Sequence, residues 1–551
     1  MRTTTLRLAC ALAALAVPAV AAAQDETAAE EARDEARSGR QQAEIRPYIE
    51  AAQLFTAELE PGNDTVTYTS VAAGVDASVA GRNSAASVSL RYERRFGYDD
   101  NSLDGDTVSG VARAGIALAQ GLTLEAGALA AQTRVEGNGA ATVGGFAGDD
   151  SGTSQVYAAY AGPSVHTMAG DVEIEGHYRF GYTKVEAPDA VVLAPSATPA
   201  DVFDESTTHA AVARAGFRPN TVAPVGLGIG GGWIEQNVSN LDQRVRDRHV
   251  RADVTVPVSA NVAVVGGVGY EDVEVSSRDA VRDGLGNPVV GPDGRFVTDE
   301  AAPRQIAYQT DGLIWDAGVL WRPSRRTSLE AHVGRRYGSM TYFGTFAYAP
   351  NSRTSYNVAV YDNVTSFGGV LVDQVAGLPA QFDAFRNPVS GQLGGCVAGA
   401  EGGGCFAGAL STVNSAVFRS RGIAASYSYD MGRTQIGTGL GYDRRKFIGA
   451  AGTVLGSVDG LVDETLWYAA YMSTQLDARS VLSADINLAW FESDLDPSGE
   501  VIGYSASLAY RRNLIRGLSG SAAVGLDGIS RENLDELMSA SALLGLRYTF
   551  N

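Results

Sequence analysis

From Ile45 onward the chain repeats one pattern: segments of roughly ten to fifteen residues in which apolar and polar side chains alternate. In VLSADINLAWF (481–491), Leu482, Ala484, Ile486, Leu488 and Trp490 share one parity, while Ser483, Asp485 and Asn487 share the other. VIGYSASLAYRR (501–512) sets Ile502, Tyr504, Ala506, Leu508 and Tyr510 against Gly503, Ser505, Ser507 and Arg511. DVEIEGHYRFGY (171–182) sets Val172, Ile174, Tyr178, Phe180 and Tyr182 against Glu173, Glu175, His177 and Arg179. Period two marks a β-strand lying between two environments. A β-sandwich alternates as well, but with a bulkier apolar face and shorter strands. Here the polar face is charged, and aromatics recur near the ends of the apolar face, as at Trp315 and Trp321 or Tyr504 and Tyr510. The pattern predicts an all-β fold, a single antiparallel up-and-down transmembrane barrel. Hydrocarbon outside offers nothing to an unpaired N–H or C=O, so the sheet must close.

The breaks between segments give direction. Short ones, from AGRN at 80–83 and AQG at 119–121 to DARS at 477–480 and RNLIRG at 512–517, alternate with longer polar ones. The alternation implies about 22 strands, with about 20 left open by the weak break at 338–341. Short turns belong at the periplasmic side and long loops outside. Arginines such as Arg82, Arg218, Arg322 and Arg433 then gather at turns. Carboxylates gather at loops: Asp99, Asp100, Asp104, Asp106, Asp149, Asp150, Asp201, Asp204, Glu205, Asp463, Asp494, Asp496, Glu532, Asp535 and Glu536. An acidic rim of this kind collects divalent cations or is simply solvated; no other cofactor is implied.

Before Ile45 the text differs. Arg2 and Arg7, an apolar run from Leu8 to Val20 and the small residues Ala21–Ala23 read as a secretory signal over 1–23. Residues 24–44 lack the apolar bulk for a core and read as a charged periplasmic tail, leaving 45–551 as the barrel. Export leaves Cys396 and Cys405, in GGCVAGAEGGGC, as the remaining cysteines. In an oxidising compartment thiols this close pair, closing a ring worth about 2.5–3 kcal/mol in the chain-entropy account. A two-thiolate metal site would want a nearby histidine or a second cysteine pair. The formal net charge of −20 excludes nucleic acid as a partner.

The polar parity assigns side chains to the lumen: Arg91, Glu93, Arg95, Arg113, Glu125, Glu173, Glu175, His177, Arg179, Glu330, His332, Asp485 and Arg547, with Asp253, Asp316, Arg336 and Arg511 beside them. Two readings of the mixed signs remain open. Opposing rows set a transverse field that selects solutes, or neighbours pair across strands and satisfy the interior. The histidines, His166, His177, His209, His249 and His332, read as polar filler of lumen or rim. No spacing marks a serine, histidine and carboxylate set, so no enzyme is implied and no catalytic residue is assigned. GLGIGGGW (226–233) is a strand with little lumenal bulk rather than a phosphate loop. A barrel of this size leaks unless filled, and the chain offers no separate plug. The candidate filler is the break at 364–414, with Phe367, Phe382, Phe385, Phe406 and both cysteines; a second long break, 276–306, carries two Asp-Gly signals for an external hairpin.

The whole of 45–551 resembles Gram-negative outer-membrane β-barrels. Leu544, Leu546, Tyr548 and Phe550 match the alternating C-terminal signature that, in that class, the barrel-assembly machinery reads; Asn551 departs from it, since the aromatic there is usually last. More narrowly, RPYIEAAQLFTAEL, TYTSVAAGVDASVAGR and LRYERRFGYDD are similar to an α-proteobacterial group of porin-type barrels. Some of that group bear the label of preprotein translocase accessory subunit, a small family with one transmembrane helix that no stretch here resembles. The resemblance implies outer-membrane lipids, lipopolysaccharide and small solutes as partners. The expected function is passive passage of small hydrophilic solutes. A structural or surface-interaction barrel without a pore, and an exopolysaccharide export channel, are the alternatives; the oligomeric state is left open.

Overall fold

In the computed structural model, residues 42–62, 64–98, 105–135, 141–143, 153–187, 202–351, 353–399, 404–494, 500–532 and 536–550 are described. The proposed signal, nearly all of the charged tail, Asn551, and Asp99, Asp100, Asp104, Asp149, Asp150, Asp201, Asp496 and Asp535 lie outside them. Twenty-two antiparallel strands close into one hydrogen-bonded ring. Each pairs with its neighbours in sequence, and the ring closes where Gln42–Glu60 meets Leu537–Thr549, with Tyr48 opposite Thr549 and Leu54 opposite Leu543. A three-residue piece, Ala141–Val143, adds to the end of Leu122–Val135. The first strand begins at Gln42, a few residues before the expected boundary at Ile45.

Alternation becomes sidedness along most of each strand, interrupted by bulges such as those at Glu58–Glu60 and Val275–Ser276. In Ser480–Ser493, Ile486 and Leu488 are exposed on the outer face, while Asp485 and Asn487 are buried inside. In Leu537–Thr549, Leu544 and Leu546 face out; Ser541 and Leu543 face in. The weak break proves to be a real turn. Tyr337 and Gly338, with φ of 53° and 68°, reverse the chain in two residues between Thr327–Arg336 and Ser339–Asn351, a geometry that favours the Tyr-Gly pair's glycine.

The long connection after Thr354–Thr365 turns inward. Its helix α1 (Phe367–Gly377) is followed by the short strands Asp383–Arg386, Leu393–Ala398 and Gly404–Cys405, which form their own antiparallel sheet. Cys396 lies directly opposite Cys405 and the two form a disulfide, with Cα atoms 4.0 Å apart. The 276–306 break folds outside as a small meander, bridged at Ala280 to Thr298, Arg282 to Pro288 and Val290 to Phe296. Its Asp283-to-Asn287 and Gly291-to-Arg295 turns contain the two Asp-Gly pairs.

Candidate functional site

The outer wall is apolar. Leu313, Val268, Ile229 and Leu544 each stand exposed, and they belong to a belt that runs strand after strand round the barrel. Water tolerates patches of a few hundred Å², far less than such a belt, so this surface requires lipid. Trp321 faces out near the turn end of Gln305–Ser324 and Trp315 at its middle, while Tyr348 stacks on Tyr356, which meets Tyr427 at a tilt. Tyr548 and Phe550 meet edge to face at 5.0 Å. No helix among the described residues is long and apolar enough to cross a membrane.

Inside, the segment from Ser366 to Val417 is seated on the wall by two kinds of contact. One is apolar. Ser366 caps α1, accepting from the Gly369 N–H at 3.3 Å, and Phe367, Leu371, Val372 and Val375 bury against Leu129, Val156, Tyr160 and Val185 of the strands. Phe367 also meets Phe203 edge to face at 5.1 Å. Gly181 makes room for Val372: a Cβ there would lie 2.7 Å from its methyl group. The other is polar. Arg386 donates to the Ser109 hydroxyl at 2.6 Å, to the Ser109 carbonyl at 3.1 Å and to the Ser89 hydroxyl at 3.1 Å. Asn387 donates to Asp485 at 3.3 Å, and Gln392 to Gln132 at 3.2 Å. Phe385 stacks on Tyr471 at 3.7 Å, and Val389 packs with Leu54, Tyr68 and Leu543 near the closing seam. These anchors lie on widely separated strands, so the inner domain reaches across the lumen.

The charged residues assigned to the lumen fall into separate groups. Arg91, Glu93 and Arg95 are buried together: Arg91 reaches Glu50 at 3.1 Å and Glu93 at 2.8 Å, and Arg95 reaches Glu93 at 3.1 Å. Gly391 of the inner domain sits against Arg91 and Glu93, which fixes this group as its support. Asp485 accepts from Ser507 and from Asn387, also beneath the inner domain. Arg547 pairs with Asp76 at 2.8 Å and lies over the Tyr48 ring at 3.5 Å. Arg113 and Glu125 are 3.3 Å apart, and Arg179 reaches Asp373 of α1 at 3.4 Å.

A longer chain of charges is buried at Asp253, Asp316 and His332 and meets water at Glu175, Arg214 and Glu330. Glu175 is 3.7 Å from Arg214, Arg214 is 2.6 Å from Asp253, and Asp253 is 3.1 Å from Arg251. Arg251 then pairs with Asp316 at 2.6 Å; His332 bridges Asp316 at 2.9 Å and Glu330 at 3.1 Å, its ring stacked on Phe343 at 4.6 Å. Glu173 and Arg218 close the turn end at 2.6 Å. Glycines let this ladder lie flat: a Cβ at Gly228 would strike the Arg214 guanidinium, one at Gly267 that of Arg251, one at Gly318 the His332 ring. Glu175 and Glu330 nevertheless keep 48 % and 46 % of their side chains exposed. Where the ladder begins, Glu125, Ser164, His177, Arg179 and Arg214 line a cavity of ≈ 390 Å³. The geometry has neighbours of opposite sign paired, both along a strand, as Arg91 with Glu93 and Arg251 with Asp253, and across strands, as Arg214 with Asp253 and Arg251 with Asp316.

Above the ladder, the Tyr337 turn tucks inward. Arg336 holds Asp247 at 2.7 Å and Glu271 at 3.4 Å; the Tyr337 N–H donates to Glu271 at 2.7 Å and its hydroxyl to Asp247 at 3.0 Å. Val245, Val273, Val275, Val364, Val417 and Ile448 pack round the ring. Asp247, Glu271 and Tyr337 were not singled out in the sequence; the only signal is the Tyr-Gly pair at the tip of an unusually short hairpin. His209 departs from expectation: it lies on the outer face among Tyr178, Phe180 and Trp233, with the Tyr178 hydroxyl 2.8 Å from Nδ1.

At the extracellular end the meander interlocks with its neighbours. Asp242 takes Arg278 at 2.8 Å and Arg304 at 2.6 Å. Burial alone would raise the Asp242 carboxyl, but hydrogen bonds from the two arginines outweigh it and hold it below the ordinary aspartate value. Among the described residues, no three histidine, cysteine or carboxylate side chains are grouped to hold a metal ion.

No family model matches the chain, and no curated protein matches it. Among solved structures, the FrpB iron transporter from Neisseria meningitidis (F3-3 variant) is similar at 11% identity and a TM-score of 0.40, covering 92% of this chain and 81% of its own. The closed form of the ferric-catecholate import receptor Fiu from E. coli gives 10%, 0.43, 93% and 82%. The copper transporter OprC gives 11%, 0.38, 93% and 81%. At these values nothing of their function carries over to this chain.

Proposed function

We propose that this chain is an outer-membrane barrel that passes small hydrophilic solutes passively, along the gap between the inner domain and the ladder from Glu175 to Glu330. The observation that carries the reading is the ladder itself. Buried charges that serve only stability are covered, as Arg91, Glu93 and Arg95 are; here Glu175, Arg214 and Glu330 keep open water contact on a wall flattened by glycine. Paired charges of both signs favour neutral or zwitterionic polar solutes over either ion sign. On this reading Leu544, Leu546, Tyr548 and Phe550 serve the barrel-assembly machinery, and outer-membrane lipid, including lipopolysaccharide, surrounds the belt. Swelling of liposomes carrying the purified barrel, in neutral sugars of graded size, tests it: small sugars enter and larger ones are refused. Entry of none from a folded barrel sinks the reading.

The cap of Tyr337, Val245, Val273, Val275 and Val364 over the ladder supports a second reading, a structural barrel without a conducting pore. The same experiment separates the two.

A further inference from the structure

Near its extracellular end the outer wall carries an arrangement that strand pairing alone disfavours. Arg421 of Phe418–Asp430 lies directly opposite Arg444 of Thr434–Phe447, and Arg419 lies directly opposite Lys446. Like charges in opposed positions repel. Two carboxylates relieve part of this: Asp362 takes Arg419 at 2.7 Å and Arg421 at 3.1 Å, and Glu464 takes Arg444 at 3.3 Å. Lys446 is exposed with no ion partner among the described residues. Arg335 is also exposed on the outer face, and also without one. It lies opposite Met340, whose carbonyl accepts from Arg421 at 2.9 Å, so it stands beside the same group. Elsewhere on the outer wall Arg94 has Asp106 at 2.9 Å and Arg244 has Glu274 at 3.4 Å. Arg248 is exposed on the outer face too, but lies directly opposite a carboxylate, Asp272, so among the described residues it is the opposition of cation to cation that is local.

The sheet explains how the group is held. Pairing between Ser339–Asn351 and Thr354–Thr365 stops at Gly344 opposite Val360, and above that point the two strands part. Arg419 and Arg421 fill the wedge, both donating to the Ser339 hydroxyl, at 2.7 and 3.0 Å, and Arg419 also to the Tyr337 carbonyl at 3.3 Å. Their guanidinium groups are therefore fixed before any ligand arrives. Immediately below, Ile423 and Leu440 on the same strands and Leu466 on the next, Val462–Gln475, are exposed. The cations begin where the apolar belt ends, which is the level of lipid headgroups.

We propose that Arg335, Arg421, Arg444 and Lys446 bind the phosphate groups of a phosphorylated glycolipid of the outer leaflet, whose acyl chains lie along Ile423, Leu440 and Leu466. The site rests on the outer-membrane reading given above. An anion between the opposed rows removes their repulsion, and one anchored by acyl chains arrives at the height where the rows stand. Arginine's planar fork suits phosphate oxygens, with lysine adding a point charge.

The full-length chain in detergent, exposed to diphosphorylated lipid A, to the same lipid dephosphorylated, and to inorganic phosphate, tests the site by native mass spectrometry. Diphosphorylated lipid stays bound and the other two do not. In the variant Arg335→Gln, Arg444→Gln, Lys446→Gln, which leaves the Arg419–Asp362–Arg421 wedge intact, retention falls roughly tenfold or more. The variant's folded, heat-modifiable mobility in gels stays that of the parent. Equal retention by the variant, or of dephosphorylated lipid, overturns the site, and equal retention of inorganic phosphate overturns its assignment to a glycolipid. Fractionation of cells is scored separately: a chain missing from the outer membrane overturns the location, whereas lost lipid selectivity in a correctly located chain overturns the site alone.

Discussion

Replacing Phe367 by alanine isolates the seating of the inner domain from the barrel. The ring is fully buried, packed on Phe203 and within the cluster that joins α1 to the strands, yet it takes no part in any barrel hydrogen bond. Emptying such a site costs about 3–5 kcal/mol. If that loss falls on docking, the undocked population rises by about two to four orders of magnitude. Hydrogen exchange in the folded barrel reads this directly. Amides of α1, including those of Gly369 and Val370 that bond back to Ser366, should exchange faster by that factor. Amides of Val172–Glu186 and Leu122–Val135 should stay protected. If α1 and those strands accelerate together, inner domain and barrel are one cooperative unit; if nothing changes, the helix is not held by this cluster.

Reducing the Cys396–Cys405 bridge, or replacing both residues by serine, should remove about 2.5–3 kcal/mol from the inner domain. Limited proteolysis of intact barrels would then cut within 383–405, and unchanged resistance would argue against it. Asp316→Asn leaves Arg251 and His332 facing a neutral amide and should lower stability by about 1–3 kcal/mol, read as an earlier urea midpoint in detergent; no shift would mean that Asp253 and Glu330 suffice. Because the folded Asp242 carboxyl is depressed, its contribution is complete above the ordinary aspartate value and is lost as pH falls through the lower one. Acidification below about pH 4 should loosen the contact of the 278–304 meander with 240–242, seen as faster loop exchange, and Asp242→Asn should abolish the pH dependence.

How far the sequence could be read follows from what each face touches. Strands such as Ser480–Ser493 and Val501–Ile515 were legible because lipid lies on one side and water or polar groups on the other, so parity maps onto chemistry. Val111, Leu129, Ala131, Val156 and Val185 were not, since their inward faces pack in one cluster with the inner domain and are as apolar as the outward ones. Parity gave the direction of Arg91, Glu93 and Arg95 but not their burial, which comes from a segment some three hundred residues away in sequence; roughly that span separates Ser109 from Arg386. The ladder's members lie on several strands, and only register, set by the two-residue turns and glycine gaps, shows that Glu175 and Glu330 end one chain of contacts. The opposed Arg421 and Arg444 depend on register in the same way.

The central claim is that the inner domain fills a barrel that otherwise conducts. Planar-bilayer recordings of the full chain and of a version lacking residues 370–410 test it most directly. Small, discrete steps are expected from the full chain and much larger ones from the shortened barrel. Equal conductance from the two, or silence from both when each is shown to be folded, would contradict it.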